Sequence, residues 1–394
     1  MERPRPMPTP QVLHLVDRLE GGGSEHTLLN LLNAFDPARF DHRLITLRRA
    51  GRLTARLSDA IPCKPLNIVG RDRWAGRLIA RCVDGRAAVV IHARNTGCWF
   101  DALVAAVLRP RARVVLGFHG LDRGGGLTLR QRRLAGWGCR LGAEFLTVST
   151  SGKDQLHRQA GAPQARLTVI PNGVLLDRFC PPRPPDRADA RQRFGFATDD
   201  VVIGSVAALK PVKDHAALLD ATAALLHAGY PVRTLIIGRG PLEGALRAQA
   251  DRLGIAGRVV FAGWCDDVAS ALSAMDLYAC ASQSEAMSNS VLEALACGLP
   301  VVATDVGDNA RVVRDGREGR IVPPRDGTAL TRALEACVRD GQVRRELGAA
   351  ARRRAGEFPF ASTVRAYETY YESLIAGHRP GQVAIPGAAA VMVQ

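Results

Sequence analysis

SEAMSNSVLEALACGLPVVATDVG, residues 284–307, holds a helix start, a helix stop and the opening of a buried strand. Ser288, Asn289 and Ser290 are N-cap types standing just before an apolar-periodic run of Val291, Leu292 and Leu295. Gly298 and Pro300 end the helix, and PVVATD begins a strand. Glu285 and Glu293 are eight apart, so they do not share one face of one helix. Glu285 falls in the loop, and Glu293 lies one turn into the helix. Between them the first-turn amides lack intrahelical partners and face the positive end of the helix dipole, which makes an anion site. A carboxylate on either side of a phosphate cradle suits a ligand with hydroxyls at both ends of a diphosphate. A nucleotide-sugar is such a ligand, with ribose on one side and hexose on the other.

Outward from this stretch the chain alternates short Val- and Ile-rich runs with helical patterns. The runs at 11–17, 42–47, 87–93, 113–118 and 144–149 are continuously apolar, as strands buried on both faces of a parallel sheet are. Helix-like segments lie between them at 25–35, 71–83, 98–108 and 127–141. After LTVIPNGV (167–174) comes CPPRPPDRADA (180–190), whose prolines and polar residues read as a linker. The pattern then restarts with DVVIGSVAAL, VRTLIIG, RVVFAG, DLYACAS, PVVATDV and GRIVPP. The expected architecture is α/β, two Rossmann-like doubly wound domains facing across a cleft, over 1–178 and 179–360. A helix at about 361–376 is expected to pack back on the first domain, and 378–394 to be disordered.

Composition narrows the class. The chain has 394 residues, 47% of them hydrophobic, which is enough apolar content for folded cores and excludes bulk disorder. No apolar stretch approaches the ~20 residues that cross a bilayer. The N-terminal stretch lacks the apolar core of a secretion signal. Nine scattered cysteines, none spaced as C-x-x-C, read as core residues in a reducing compartment, with no metal site. A cytoplasmic location is expected, extending to a peripheral one on the inner face of the cytoplasmic membrane. The formal charge of +15 is concentrated, with +14 in residues 1–178 and +1 in the remainder.

The stretch at 284–307 resembles the E-x7-E region of the retaining glycosyltransferases of family 4, which have the GT-B fold. GGGSE (21–25), FHG (118–120), SVAALKPVKD (205–214), IIGRGPLE (236–243) and FAGWCDDV (261–268) follow in that family's order. HARN (92–95), VKD (212–214) and SEAMSNSVLEA look most like the sugar transferases of PEP-CTERM/exosortase exopolysaccharide systems. The resemblance implies roles. Glu293 would bind the ribose hydroxyls, and Glu285 the hexose hydroxyls near the anomeric carbon. Backbone amides around Met287, Ser288, Asn289 and Ser290 would hold the diphosphate. Lys213 would neutralise the departing phosphate, with Lys210 as a second cation. Gly22 and Gly23 would bring the first loop close to the phosphate–sugar junction, and His119 would stand at the anomeric centre. Gly238 and Gly240 would belong to the donor site. Glu25, His92 and Asn95 are acceptor-side candidates, although Glu25 serves equally as a helix cap and His92 equally as a core residue. His14, inside an apolar strand, reads as a satisfied core histidine.

The implied activity is transfer of a hexose from a nucleotide-sugar to a glycan or polyprenyl-diphosphate-linked acceptor, with retention, without metal or other cofactor. The basic first half would face an anionic membrane surface. In that half, Arg73, Arg77 and Arg81 form one helical stripe beside Trp74 and Leu78, and Arg130, Arg132, Arg133, Trp137 and Arg140 form a second cluster. Solvated faces of ordinary helices are the competing reading of both. There are departures from the family pattern. Ala208 stands where the family has Arg, five residues before Lys213; Gly307-Asp308 replaces its Gly-Gly, and Arg311 its acidic residue. Two other functions fit parts of the sequence. A nucleotide-sugar epimerase shares the double-Rossmann plan. A basic nucleic-acid binder fits the charge, but with 5% aromatics and no recognisable motif it is disfavoured, and no nucleic acid is expected as a partner.

Overall fold

The computed structural model describes residues 9–378 except 71–73, 86 and 121–125. The expected tail beyond His378, and Arg73 of the first arginine stripe, lie outside the described residues.

Two compact units are present. One contains residues 9–119, 126–171 and 361–378; the other contains Gly120 and 172–360. The chain therefore leaves the first unit at 171/172, not at 178/179. The expected linker is instead the helix Pro184–Phe194 of the second unit. Prolines at its first positions cost no hydrogen bond, because first-turn amides have no intrahelical partner. Arg187 and Arg191 tie that helix to Asp276, each at 2.6 Å.

The first sheet has seven strands: β1 (Gln11–Val16), β2 (Asp41–Thr46), β3 (Cys63–Pro65), β4 (Val89–Ala93), β5 (Arg113–Phe118), β6 (Glu144–Thr147) and β7 (Leu167–Val169). The second has six: β8 (Val201–Val206), β9 (Val232–Ile237), β10 (Val259–Gly263), β11 (Leu277–Cys280), β12 (Val301–Thr304) and β13 (Gly319–Val322). All pairings between them are parallel, in the orders β3-β2-β1-β4-β5-β6-β7 and β10-β9-β8-β11-β12-β13. Every residue of β1 and β4 is buried, which accounts for their continuous apolar runs. Only β3, a three-residue edge strand, has no apolar run to announce it.

The helix Phe360–Ile375 completes the first unit. Its Tyr367, Tyr370 and Tyr371 are at most 1% exposed. They cover a polar layer inside the sheet: His14 and His42 share a hydrogen bond of 3.0 Å, and His92 Nδ1 meets the Tyr371 hydroxyl at 2.8 Å. Burial holds His14 and His92 well below the ordinary histidine range, and His42 down at about 4. All three are therefore neutral at physiological pH.

Candidate active site

Each sheet reverses its winding direction at one place. In the second unit this switch point lies between β8 and β11, and ligands of open α/β sheets bind beyond the carboxyl ends of the strands there. Lys213 follows β8 and Glu285 follows β11. The two loops are stitched together by Gln283, whose amide donates to the Val212 carbonyl at 2.7 Å and whose side chain donates to Asp214 at 2.8 Å. The result is an ion pair of 2.6 Å between Lys213 Nζ and Glu285 Oε1. Ser282 Oγ donates to the same Oε1 at 2.7 Å. Lys213 thus does not extend into open solvent. Its charge is already matched by a carboxylate that is 11% exposed.

The helix Asn289–Ala296 begins where expected, with Ser288 as N-cap. The Ser288 side chain makes no capping hydrogen bond. It pairs with Ser290 at 3.2 Å, and Ser290 accepts from the buried Tyr278 hydroxyl at 2.7 Å. The serine hydroxyls are thus turned to each other and to Tyr278 rather than to the first-turn amides. Asn172 steadies the approach by donating to the Met287 carbonyl at 3.0 Å. Glu293 sits one turn in. Desolvation pushes its carboxyl up to about 7, against the pull of the Arg178 guanidinium. At neutral pH this group both donates and accepts, which suits hydroxyl partners.

The remaining second-unit candidates divide. Gly238 has φ +139°, and a Cβ there would lie 2.0 Å from the Ala207 carbonyl oxygen. A Cβ on Gly240 would lie 2.4 Å from the Leu209 oxygen. Packing of the neighbouring loop accounts for both glycines without a ligand. Gly307 has φ +61° and sits against the backbone of Glu285 and Ala286, while the Asp308 amide donates to the Ala286 carbonyl at 2.8 Å. The backbone at Gly307 and Asp308 therefore supports the Glu285 loop from behind, whichever side chain stands at 308. Ala208 is exposed, and Lys210 opens the short turn Pro211–Lys213.

In the first unit the switch point lies between β1 and β4. The loop Glu20–Gly22 follows β1 and leads into the helix Gly23–Ala34. Glu25 Oε2 accepts from the Glu20, Gly21 and Gly22 amides at 2.6, 2.6 and 3.2 Å. Glu25 is therefore a capping carboxylate whose Oε2 is saturated by its own loop. Gly21 has φ +141° and needs to be glycine. Gly22 has φ −69°, and a Cβ there would meet only the Glu25 side chain at 3.7 Å. Nothing internal requires glycine at 22.

His92 is fully buried against Tyr371 and is a core residue, not an acceptor contact. A central strand beneath the helix Phe360–Ile375 leaves it no route to solvent. Asn95 is exposed beyond β4 and caps the turn Thr96–Cys98 by accepting from Gly97 at 3.1 Å. His119 lies just past β5, where burial and the Arg94 charge hold its imidazole at about 3. It is neutral across the physiological range. Arg94, unremarked in the sequence, is 3% exposed and lies over the Tyr367 ring at 5.0 Å. Ser282, Asn172 and Tyr278 were also missed; each acts through a contact remote in sequence or through a loop turn that no periodicity encodes. Among the described residues no three His, Cys, Asp or Glu side chains converge to hold a metal ion.

Residues 21–178 match the family described as Glycosyltransferase Family 4, and residues 186–354 match Glycosyl transferases group 1. The chain is 29% identical over 201 residues to the putative glycosyltransferase EpsD of Bacillus subtilis, covering 51% of this chain and 53% of that protein. It is 36% identical over 262 residues to a D-inositol 3-phosphate glycosyltransferase of Geodermatophilus obscurus, covering 62% of this chain and 56% of the relative. The chain thus spans about half the length of the curated relatives it matches. Among solved structures it is similar to Anabaena HepE, crystallised with UDP and glucose. The TM-score is 0.80 at 22% identity, over 92% of this chain and 98% of that one. The epimerase and nucleic-acid readings find no support in these likenesses.

Proposed function

Because the chain belongs to the family 4 glycosyltransferases of GT-B fold, we propose that it moves a hexose from a nucleotide-sugar to a glycan or polyprenyl-diphosphate-linked acceptor. The observation that carries this reading is the pairing of Lys213 with Glu285 at the second unit's switch point, beside the helix start Ser288–Asn289 and Glu293. The structural neighbour HepE was crystallised with UDP and glucose, and a UDP-sugar is accordingly the first donor to try.

The chemistry assigns each group a task. Breaking the bond between the anomeric carbon and the diphosphate leaves the electron pair on phosphate and positive character on the sugar. Lys213 and the first-turn amides stabilise the first, at a few kcal/mol each. Glu285 holds the hexose hydroxyls, and its carboxylate stabilises the second. The acceptor oxygen bonds to the anomeric carbon and gives its proton to the leaving phosphate. Attack on the face the phosphate leaves gives retention. With cations and dipoles supplied by the chain, a divalent ion has no required place in the scheme. Gly22 supports the reading, since no internal contact explains it, whereas Gly238 and Gly240 do not.

The setting implied by the sequence resemblance is exopolysaccharide or cell-surface polysaccharide synthesis, on the cytoplasmic side of the membrane. Among the described residues no helix is long and apolar enough to cross a membrane. Attachment would therefore run through the surface, with the basic first half towards anionic lipid. The test is a panel of UDP-, GDP- and ADP-sugars. The true donor should raise the melting temperature and undergo slow hydrolysis with chelator present. No shift and no hydrolysis with any donor overturns the reading.

A further inference from the structure

Past Gly204 the strands β8 and β11 stop pairing. Their ladder consists of Leu277↔Ile203 and Tyr278↔Gly204, while β8 runs on to Val206 and β11 to Cys280. Strands that part at their carboxyl ends open the crevice of a switch point. One side chain lies across it. The Tyr278 hydroxyl accepts from the Val206 amide at 3.3 Å and reaches Ser290 Oγ at 2.7 Å, from a residue that is 1% exposed.

A phenol has one proton to give. The Val206 carbonyl is 3.2 Å away, so the shorter contact, to Ser290, takes it. Burial pushes the Tyr278 phenol well above its ordinary range, and it stays a donor at any working pH. Ser290, having accepted, keeps its own proton for the Ser288 oxygen at 3.2 Å. The hydroxyls thus form one chain, from Tyr278 to Ser290 to Ser288.

That chain changes what Ser288 does. An N-cap serine ordinarily accepts from the amide of the second or third helical residue, here Ser290 or Val291. In the same unit Asp214, Asp267, Asp326 and Asp340 all accept from first-turn amides of the helices they head. Ser288 stands in the same position and makes no such bond, because its hydroxyl is engaged sideways by Ser290. A capping oxygen and a phosphate oxygen compete for the same amides. The helix that begins beside Lys213 and Glu285 is therefore headed by a capping residue held off its cap.

We propose that Tyr278 is a positioning residue for the donor diphosphate: through Ser290 it keeps Ser288 turned away from the Ser290 and Val291 amides, which are thereby left to phosphate. The inference rests on the transferase reading, which supplies the diphosphate. Tyr278 touches no substrate in this scheme. It acts by removing an internal competitor, at a point where β8 and the helix start would otherwise be joined by no side chain of β11.

The experiment measures binding of UDP, GDP and ADP to the full chain by calorimetry and continues with the tightest of the three. Tyr278→Phe keeps the ring in the core and breaks the chain at its first link; Ser290→Ala breaks it at the second. Either change frees Ser288 to cap its own helix, and each should weaken binding roughly fivefold, the factor that one N-cap hydrogen bond carries. Adding Ser288→Ala to Tyr278→Phe removes the competitor and should recover most of that loss. A hydroxyl that served only packing would give no recovery. Ser290→Ala with Ser288→Ala should recover in the same way, so the test does not depend on Tyr278→Phe folding well. Wild-type affinity in Tyr278→Phe or Ser290→Ala, or no recovery when Ser288→Ala is added, overturns the inference alone. A wild-type chain that binds none of the three nucleotides overturns the transferase reading, and the inference falls with it.

Discussion

Lys213 Nζ and Ser282 Oγ converge on one oxygen of Glu285, Oε1, at 2.6 and 2.7 Å. The convergence commits Oε1 to the protein, so under the proposed transfer reaction Oε2 is the oxygen that would meet a sugar hydroxyl. It also means that a donor phosphate recruiting Lys213 draws it from Glu285, with Ser282 left to hold the carboxylate.

Glu285→Gln keeps the shape of the side chain and removes its charge. Turnover with the true donor should drop ~100-fold or more, since a charge-assisted contact beside the reacting carbon is lost. Wild-type kinetics in this variant, with the true donor in hand, would falsify the placement of the sugar at Glu285.

Lys213→Ala should lower turnover and stability together. Removing the cation leaves a mostly buried carboxylate held only by Ser282 and the weak Cys280 thiol contact, at about 1–3 kcal/mol. Adding Glu285→Gln to it should restore much of the melting temperature but none of the activity. Additive losses in that double-mutant cycle would mean the pair is not coupled. Ser282→Ala should lower turnover about tenfold with a smaller change in KM, and Ser282→Thr should restore part of it.

The two kinds of glycine can be told apart. Gly238→Ala forces a Cβ onto a backbone oxygen at a positive φ and should cost several kcal/mol in denaturant melts. Gly22→Ala should melt like wild type yet lose turnover. A Gly22→Ala enzyme with full activity removes that loop from the donor site.

Ala208 is exposed two residues before Lys210, at the place where the family carries Arg. Ala208→Arg should tighten UDP binding by about 1 kcal/mol, measured by calorimetry. Unchanged affinity would show that Lys210 already supplies that charge.

Acid should unfold the protein early. His42 and His215 are held at about 4 and His119 at about 3, with His14 and His92 also well below 6.5. The unfolded chain takes up these protons first, so stability is complete above pH 6.5 and is lost as pH falls towards 4. The loss at pH 5 is roughly 1–2 kcal/mol per histidine. Glu293 runs the other way. Its folded value of about 7 lies above the unfolded 4.5, so its contribution is present below pH 4.5 and lost as pH rises through 7. Glu293→Gln should therefore raise the melting temperature at pH 7.5 but not at pH 4.5, while weakening donor binding. Equal melting of the two proteins at both pH values would remove the desolvated carboxylate from the account.

Much of the plan was readable because burial on both sheet faces writes continuous Val and Ile runs, and β1, β4, β5, β8 and β9 all announce themselves so. Where local composition and tertiary role diverged, the reading failed. Prolines and charges at 180–190 look like a linker, yet Arg187 and Arg191 find Asp276, 85 or more residues away, and the segment becomes a packed helix. His92 ends an apolar run like a site residue; only the helix Phe360–Ile375, nearly 280 positions on, shows that it is core.

The sequence by itself determined the two parallel sheets and the helix start at Ser288, because hydrophobic period and cap chemistry are local properties. Which oxygen of Glu285 is committed, which glycines serve packing and that Glu25 caps its own loop were decided only by tertiary structure. Each depends on groups brought together across long chain separations or by an irregular loop, and neither distance nor loop path is written in a local pattern.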